Sequence, residues 1–463
     1  MSEKRAALTV AMLASFLTPF MASSINVALP TLADEFSLSA VIESWIPTSY
    51  LLAAAVFLVP FGRLSDILGR KKVFTYGIWV FGAGTALCAI APSGILLIVF
   101  RIIQGFGSAM MFGTSIAILT SVYPVNERGK ALGLSTMVVY VGLSVGPFFG
   151  GLLTNFVGWR TIFLVTLPLT AAVVAATRLL KGEWTGATGE KFDIKGSALY
   201  AVSLTAVIFG FSLLPNIAGA LVSIVGLAGI VAFILLELRL KSPVLDITLF
   251  RHRAFAFSNF AALINYSATF AVGFLMALYL QNVKGFAADK AGIILVAQPV
   301  VMAIFSPIAG RLSDRIEPQI IASVGMAISA IGLVLLALLA ADSSIAFIIF
   351  SLAFLGLGFG LFSSPNTNAI MSSVERKCYG IASATVGTMR SIGQVLSLGI
   401  ATMFIAIYVG GVLITPDVAH DFLRGFQLSF VAFAVMCFGG IFASLARGKV
   451  RGEATCEIPE QRT

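Results

Sequence analysis

Long apolar runs, each the length of a bilayer-crossing helix and bounded by charge or turn residues, leave a chain few folds to adopt. Fourteen can be drawn here, at residues 7–30, 45–66, 73–92, 94–121, 131–156, 160–180, 196–215, 218–236, 255–281, 290–311, 319–341, 344–371, 380–411 and 422–446. A hydrocarbon interior offers backbone amides no water, so these runs are predicted to be helices; no ten-residue alternation points to a barrel. Only 11% of the 463 residues are charged and 58% are hydrophobic, against about a quarter charged in soluble domains. The fold class implied is an all-α polytopic membrane protein with 14 transmembrane helices.

The basic residues orient it. With the N-terminus inside, 24 of the 30 Lys and Arg fall in cytoplasmic segments, four outside (Arg160, Lys284, Lys290 and Arg424) and two within spans (Arg101 and Arg390). An odd number of spans would scramble this asymmetry, so both termini are expected on the cytoplasmic side of the cell membrane. The same distribution accounts for the net charge of +9 without nucleic acid as a partner. The first run continues to Pro30, longer than a signal-peptide core and without a convincing cleavage site, and reads as the first span. Cys88, Cys378, Cys437 and Cys456 show no paired spacing, and His252 and His420 fall in loops. Disulfides, a metal site and any other cofactor are therefore not expected, nor is an enzyme. No Walker-type phosphate loop is present.

An internal repeat supplies the architecture. Gly62-Arg-Leu-Ser-Asp66 closes span 2 and Gly310-Arg-Leu-Ser-Asp314 closes span 10, eight spans apart. A duplicated six-helix unit would separate the copies by six, so two helices are inserted between the halves. The domains expected are a six-helix bundle over 1–180, linkers and two inserted helices over 181–253, and a second six-helix bundle with a cytoplasmic tail over 254–463. Spans 7 and 8 carry few polar residues and are expected to face lipid.

The first copy continues as Ile-Leu-Gly69-Arg70-Lys71-Lys72 and resembles the signature loop G-x-x-x-D-x-x-G-R-[KR] of the major facilitator superfamily. Further strings resemble its fourteen-span drug:proton antiporter branch: Asn26-Val-Ala-Leu-Pro30, Trp45 with Tyr50, Gly158-Trp159-Arg160 with Ile162-Phe163, and Gly142-Leu-Ser-Val-Gly146-Pro147-Phe-Phe-Gly150-Gly151. The last is similar to the antiporter motif G-x-x-x-G-P-x-x-G-G and implies export. The signature loop implies a latch between the two halves, formed by Gly62, Asp66, Gly69, Arg70 and Asp314. Mere topology anchoring explains Lys71 and Lys72 but requires no carboxylate. The second copy has Glu317 and Pro318 where Gly69 and Arg70 stand, so its role is expected to be weaker and mainly structural.

In span 4, Arg101-Ile-Ile-Gln104-Gly105 resembles the R-x-x-x-G motif associated with proton coupling; snorkelling of Arg101 to the interface is the plainer alternative. Arg390 in span 13 lies about 15 Å from the cytoplasmic end at helical rise, too deep to snorkel, and shares a face with Gln394. Together with Met21, Asn26, Tyr140, Asn265, Tyr266, Gln298, Asn366 and Asn368, these two are the substrate-cavity candidates.

One departure from the family bears on substrate. Members with the NVALP ending usually carry an aspartate five positions before the Asn; here it is Met21. Of 21 acidic residues, none falls in a span interior. A carboxylate is the usual partner of an organic cation and the usual titrating group. A dication is therefore disfavoured as substrate against a neutral or anionic amphiphile. Proton coupling would use a span-end carboxylate such as Asp34, Glu35, Glu43 or Asp66. The function expected is export of lipophilic small molecules by proton antiport, from a monomer. A metabolite uniporter or symporter of the same fold is the alternative, and a non-transporting membrane receptor is disfavoured by short loops.

Overall fold

The structure is a computed structural model that describes residues 2–38, 40–213, 216–240, 242–286, 288–409 and 419–448; Cys456 and the rest of the tail lie outside them. Among the described residues there is no strand. The helices run α1 (Glu3–Phe36), α2 (Ala40–Leu68), α3 (Arg70–Ala89), α4 (Gly94–Val122), α5 (Val125–Phe156), α6 (Arg160–Thr177), α7 (Ile194–Ser212), α8 (Ile217–Glu237), α9 (Arg253–Thr269), α10 (Val272–Leu278), α11 (Ala288–Leu295), α12 (Ala297–Ser313), α13 (Pro318–Ala337), α14 (Ile345–Ser372), α15 (Tyr379–Val409) and α16 (Ala419–Ala446).

Twelve stretches of helix among the described residues are long and apolar enough to cross a membrane. The expected fourteen is not reached by this measure, because α3 and α7 fall short. The first turn of α3 is Arg70, Lys71 and Lys72, and its apolar positions are diluted by Gly and Thr. Of α7, Ile194–Gly210 is the apolar stretch among the residues whose side chains are described.

Two buried clusters dominate the interior. One contains residues between Ala6 and Leu180, the other residues between Ala261 and Cys437. The halves meet where α2 packs along α15 and α5 along α12. A third cluster brings Tyr200, Leu204 and Ile208 of α7 and Phe233 of α8 against α2 and Ala384 of α15. The lipid-facing expectation thus fits α8, whose apolar surface is largely exposed, but not α7. Its buried face touches both halves because small residues (Gly210, Gly219 and Gly226) let α8 sit tight behind it.

Candidate functional site

The site has two parts, a latch on the face that carries the GRLSD turns and a cavity beyond it. In the latch, Asp66 is fully buried and Arg70 nearly so. The Arg70 guanidinium donates to Asp66 Oδ1 at 2.7 and 3.1 Å, the i,i+4 spacing that puts both on one face. The same carboxylate accepts the backbone N–H groups of Gly380 and Ile381 at 2.9 and 3.0 Å. These belong to the first turn of α15, where free N–H groups and the helix dipole favour an anion. Arg70 also reaches the Arg376 carbonyl and Ser121 Oγ. Gly62 makes the approach feasible, since a Cβ there would lie 2.7 Å from the Gly380 carbonyl oxygen.

The second GRLSD turn repeats the geometry on the other side of the pseudo-symmetric pair. Asp314 accepts the N–H groups of Gly129 and Lys130 near the start of α5 at 2.7 and 2.8 Å. Gly310 faces Gly129 so closely that a Cβ on either would overlap the other's carbonyl oxygen. The second copy, expected to have a weaker and mainly structural role, thus keeps its aspartate engaged. Its turn glycine and arginine are lost, but the aspartate's interaction needs only helix N–H groups, which α5 supplies. Between the two aspartates, Tyr379 is flanked by Arg70 and Arg128, with guanidinium carbons 5.3 and 5.2 Å from its ring centre. Arg128 also donates to the Tyr379 hydroxyl at 3.0 Å and toward the Met371 carbonyl. Arg128 and Tyr379 went unnoticed in the sequence because each reads as an ordinary loop-flanking residue.

The linker after α6 forms a strap over the first turn, also not foreseen. Glu183 accepts the N–H groups of Lys71 and Lys72 at the start of α3 at 2.9 and 3.2 Å. The Trp184 carbonyl accepts Arg70 N–H, and Gly186 and Ala187 donate to the Asp66 carbonyl. Glu190 pairs with Arg63. Gly69, at φ 113°, lies so close to Glu183 that a side chain would be excluded on both counts. Removing this helix-capping carboxylate in Glu183→Ala is expected to loosen the strap by the amount of one N-cap, about 0.5–2 kcal/mol. The measurable result is a few-fold faster modification of the neighbouring buried thiol of Cys378, with export reduced but not lost.

The cavity lies between the halves in two adjoining lobes of about 290 and 350 Å³. Tyr140, Tyr266 and Gln298 line the first, Asn26 lines the second, and Arg390 and Gln394 line both. Irregular backbone borders the first lobe: α9 breaks at Thr269–Ala271, where Ala271 N–H finds Ser397 Oγ at 2.9 Å. Non-helical backbone survives at membrane depth where it is buried in protein or lines a cavity.

The remaining candidates line neither lobe. Met21 is buried against Thr166, whose hydroxyl points at its sulfur at 3.1 Å. Asn265 is fully buried with neither amide atom hydrogen-bonded. Asn366 joins the Ser258 carbonyl and Arg447, and Asn368 donates to Ser313 Oγ; these are helix–helix bonds. Burial pushes Arg447, just past α16, down to about 9.

Arg101 is fully buried and does not snorkel. It donates to Gln104 Oε1 at 2.6 Å and lies 4.3 Å over the Tyr50 ring, while Gln104 donates to Thr85. Tyr50 lines the second lobe, so Arg101 touches the cavity only through it. In the antiporter string, Gly142, Gly146 and Gly150 form the seam with α1, approaching Phe16, Ser23 and Ser24, and Gly151 faces Val27. Pro147 sits inside α5. Of the span-end carboxylates, Glu35 is engaged. Partial burial raises it, but the Trp159 and Arg160 hydrogen bonds and the Arg160 charge win and hold it below the usual carboxylate range. The Glu43 side chain lies outside those described.

Two helical halves around a mainly apolar cavity, joined on one face by paired helix-end contacts, make an arrangement suited to a membrane transporter. The model of the Major Facilitator Superfamily matches residues 11–398 and 258–455, and the chain belongs to that superfamily. It is 31% identical over 410 residues to the riboflavin transporter RibZ of Clostridioides difficile (strain 630), covering 88% of this chain and 89% of that protein. It is 29% identical over 395 residues to the multidrug resistance protein Stp of Mycobacterium tuberculosis (strain CDC 1551 / Oshkosh), covering 84% of this chain and 73% of that protein. Its fold is similar to that of the human organic anion transporter MFSD10 (TETRAN), with a TM-score of 0.68 and 13% identity over 96% of this chain and 100% of that one. The protein is thus a multi-pass membrane transporter for small molecules, not an enzyme.

Proposed function

We propose that this transporter is an exporter of lipophilic neutral or anionic small molecules, working by proton antiport as a monomer in the cytoplasmic membrane. We assign it to the fourteen-span branch, with bundles over 1–180 and 254–463, an inserted pair within 181–253, and both termini cytoplasmic. The observation that carries the substrate class is the cavity lining, in which Arg390 is the one charged residue among those described. A carboxylate-free, mainly apolar lining gives a cation no counter-charge and an anion one. Relatives named as multidrug resistance proteins support a broad lipophilic substrate range. A basic GRLSD face supports the orientation, and the two separate core clusters support the division into bundles.

The latch supplies the mechanism. With Asp66 and Asp314 seated on the N-termini of α15 and α5, the cytoplasmic face is closed, and substrate entry from inside requires both seats to be vacated. Asp66 is the acid best placed to link that event to a proton, because it is the buried carboxylate whose exposure changes as the halves part. A uniporter or symporter of the same fold is the second reading, favoured by the absence of an acid in the cavity. Export from cells of a panel of cationic, neutral and anionic compounds, with and without an uncoupler, separates the two. Uncoupler-sensitive export of the neutral and anionic compounds is expected. Accumulation of a compound, or export indifferent to the uncoupler, would favour the second reading.

A further inference from the structure

The two lobes share a wall made of Phe112, Leu143, Phe270, Arg390 and Gln394, which makes them one two-chambered site with Arg390 at its waist. Each lobe sits near the lower end of the roughly 300–1,000 Å³ range of small-molecule sites, so a guest larger than one chamber must pass the waist. The guanidinium there is held only by rings. Its carbon lies 5.3 Å from the centre of Phe112, on α4, and 5.6 Å from that of Tyr266, on α9. No hydrogen bond or ion pair to the described residues occupies it. A guanidinium carries five donors in a planar fork. Leaving all of them unused at membrane depth is costly unless a guest or water accepts from them. Gln394, one helical turn on, adds an amide at the same waist.

The chambers differ in character. Tyr140, Tyr266 and Phe359 line the first, with Phe359 edge-on to both tyrosines at centroid separations of 6.0 and 5.3 Å and angles of 78° and 72°. Three aromatic rings on one wall offer a planar aromatic guest stacked or edge-on partners of its own kind. The second chamber is lined largely by aliphatic and small residues, among them Pro19, Ala55 and Leu58.

We infer that the site selects a planar aromatic acid, with its ring system in the first chamber and its anionic group bound by Arg390 and Gln394 at the waist. The inference rests on the exporter reading above and narrows its substrate class. Arg390 is then the specificity-determining residue, its planar fork matched to a carboxylate or phenolate.

Fluorescein and rhodamine 123 test it, since they share the xanthene ring and differ in charge sign. Their binding to the purified full-length protein in lipid nanodiscs is read by fluorescence polarisation. The wild type is expected to hold fluorescein about tenfold or more tighter than rhodamine 123. Arg390→Gln should lose that margin without weakening rhodamine 123, and Arg390→Lys should fall between. Arg390→Glu, which makes the waist negative, should reverse the preference, a gain that a misfolded protein cannot show. The inference is overturned if the wild type prefers rhodamine 123, if it binds neither dye, or if Arg390→Gln weakens both alike. Uncoupler-sensitive export of rhodamine 123 without fluorescein binding would sink this inference and leave the exporter reading standing. Fluorescein binding without uncoupler-sensitive export of any compound would do the reverse.

Discussion

Asp66→Asn is expected to cut export at least tenfold while leaving the amount of protein in the membrane unchanged. The variant removes the partner of a buried arginine and the charge seated on the α15 N-terminus. Stranding one member of a buried ion pair costs about 3–5 kcal/mol. That cost falls on the closed state alone, because both groups can be hydrated once the halves part. A bias of that size shifts a two-state equilibrium roughly a hundredfold or more, so the face would stand open. Cys378 reports it. Its thiol is buried at the start of α15, beside the latch, whereas Cys88 and Cys437 are buried elsewhere and serve as controls. Peptide-resolved maleimide labelling should show Cys378, and not the other two, reacting faster in the variant. Unchanged export together with unchanged protection of Cys378 would reduce the turn to a topology anchor.

Gly310→Ala tests the second copy by sterics instead of charge. The new methyl would meet the Gly129 carbonyl oxygen at a separation no atom pair tolerates, with Ser364 Oγ at 2.9 Å and Gly133 Cα at 3.0 Å behind it. Two of these neighbours are backbone, so α12 and α5 must move apart for the methyl to fit. Overpacking of this kind costs about 1–3 kcal/mol or more, again only when the face is closed. Export should fall about tenfold or more, and Cys378 should become reactive as in Asp66→Asn. Gly439→Ala is the matched control, since nothing lies within 4 Å of its added carbon; it should transport normally. A Gly310→Ala protein that exports at the wild-type rate would show that the close packing of the second copy is not needed for transport, a weaker role still than the mainly structural one the sequence implies.

Composition and periodicity determined a good deal. A chain of apolar runs with basic residues on alternate connections has to be helical and membrane-crossing, because lipid offers no other partner for its amides. The repeated GRLSD by itself places a turn of the same sequence in each half. The depth of Arg390 in its helix marked it as a residue in need of a cavity, and it lines both lobes. These signals are local: each depends on spacing along one segment.

What crosses between segments was not legible. Asn366 and Asn368 looked like cavity residues because they sit in an apolar run, but only their packed neighbours, Arg447 and Ser313, decide that they serve as helix–helix bonds. Asp314 looked weakened because Gly69 and Arg70 have no counterparts beside it. Its actual partners are the N–H groups of Gly129 and Lys130, which carry no side-chain signature at all. The same holds for Glu183, an unremarked linker acid until the fold lays it on the α3 N-terminus. The sequence alone determined which residues are too polar or too small for lipid and must therefore meet protein. Tertiary structure alone decided what they meet, because helix ends, carbonyls and ring faces bind through backbone and shape that are the same for almost any sequence.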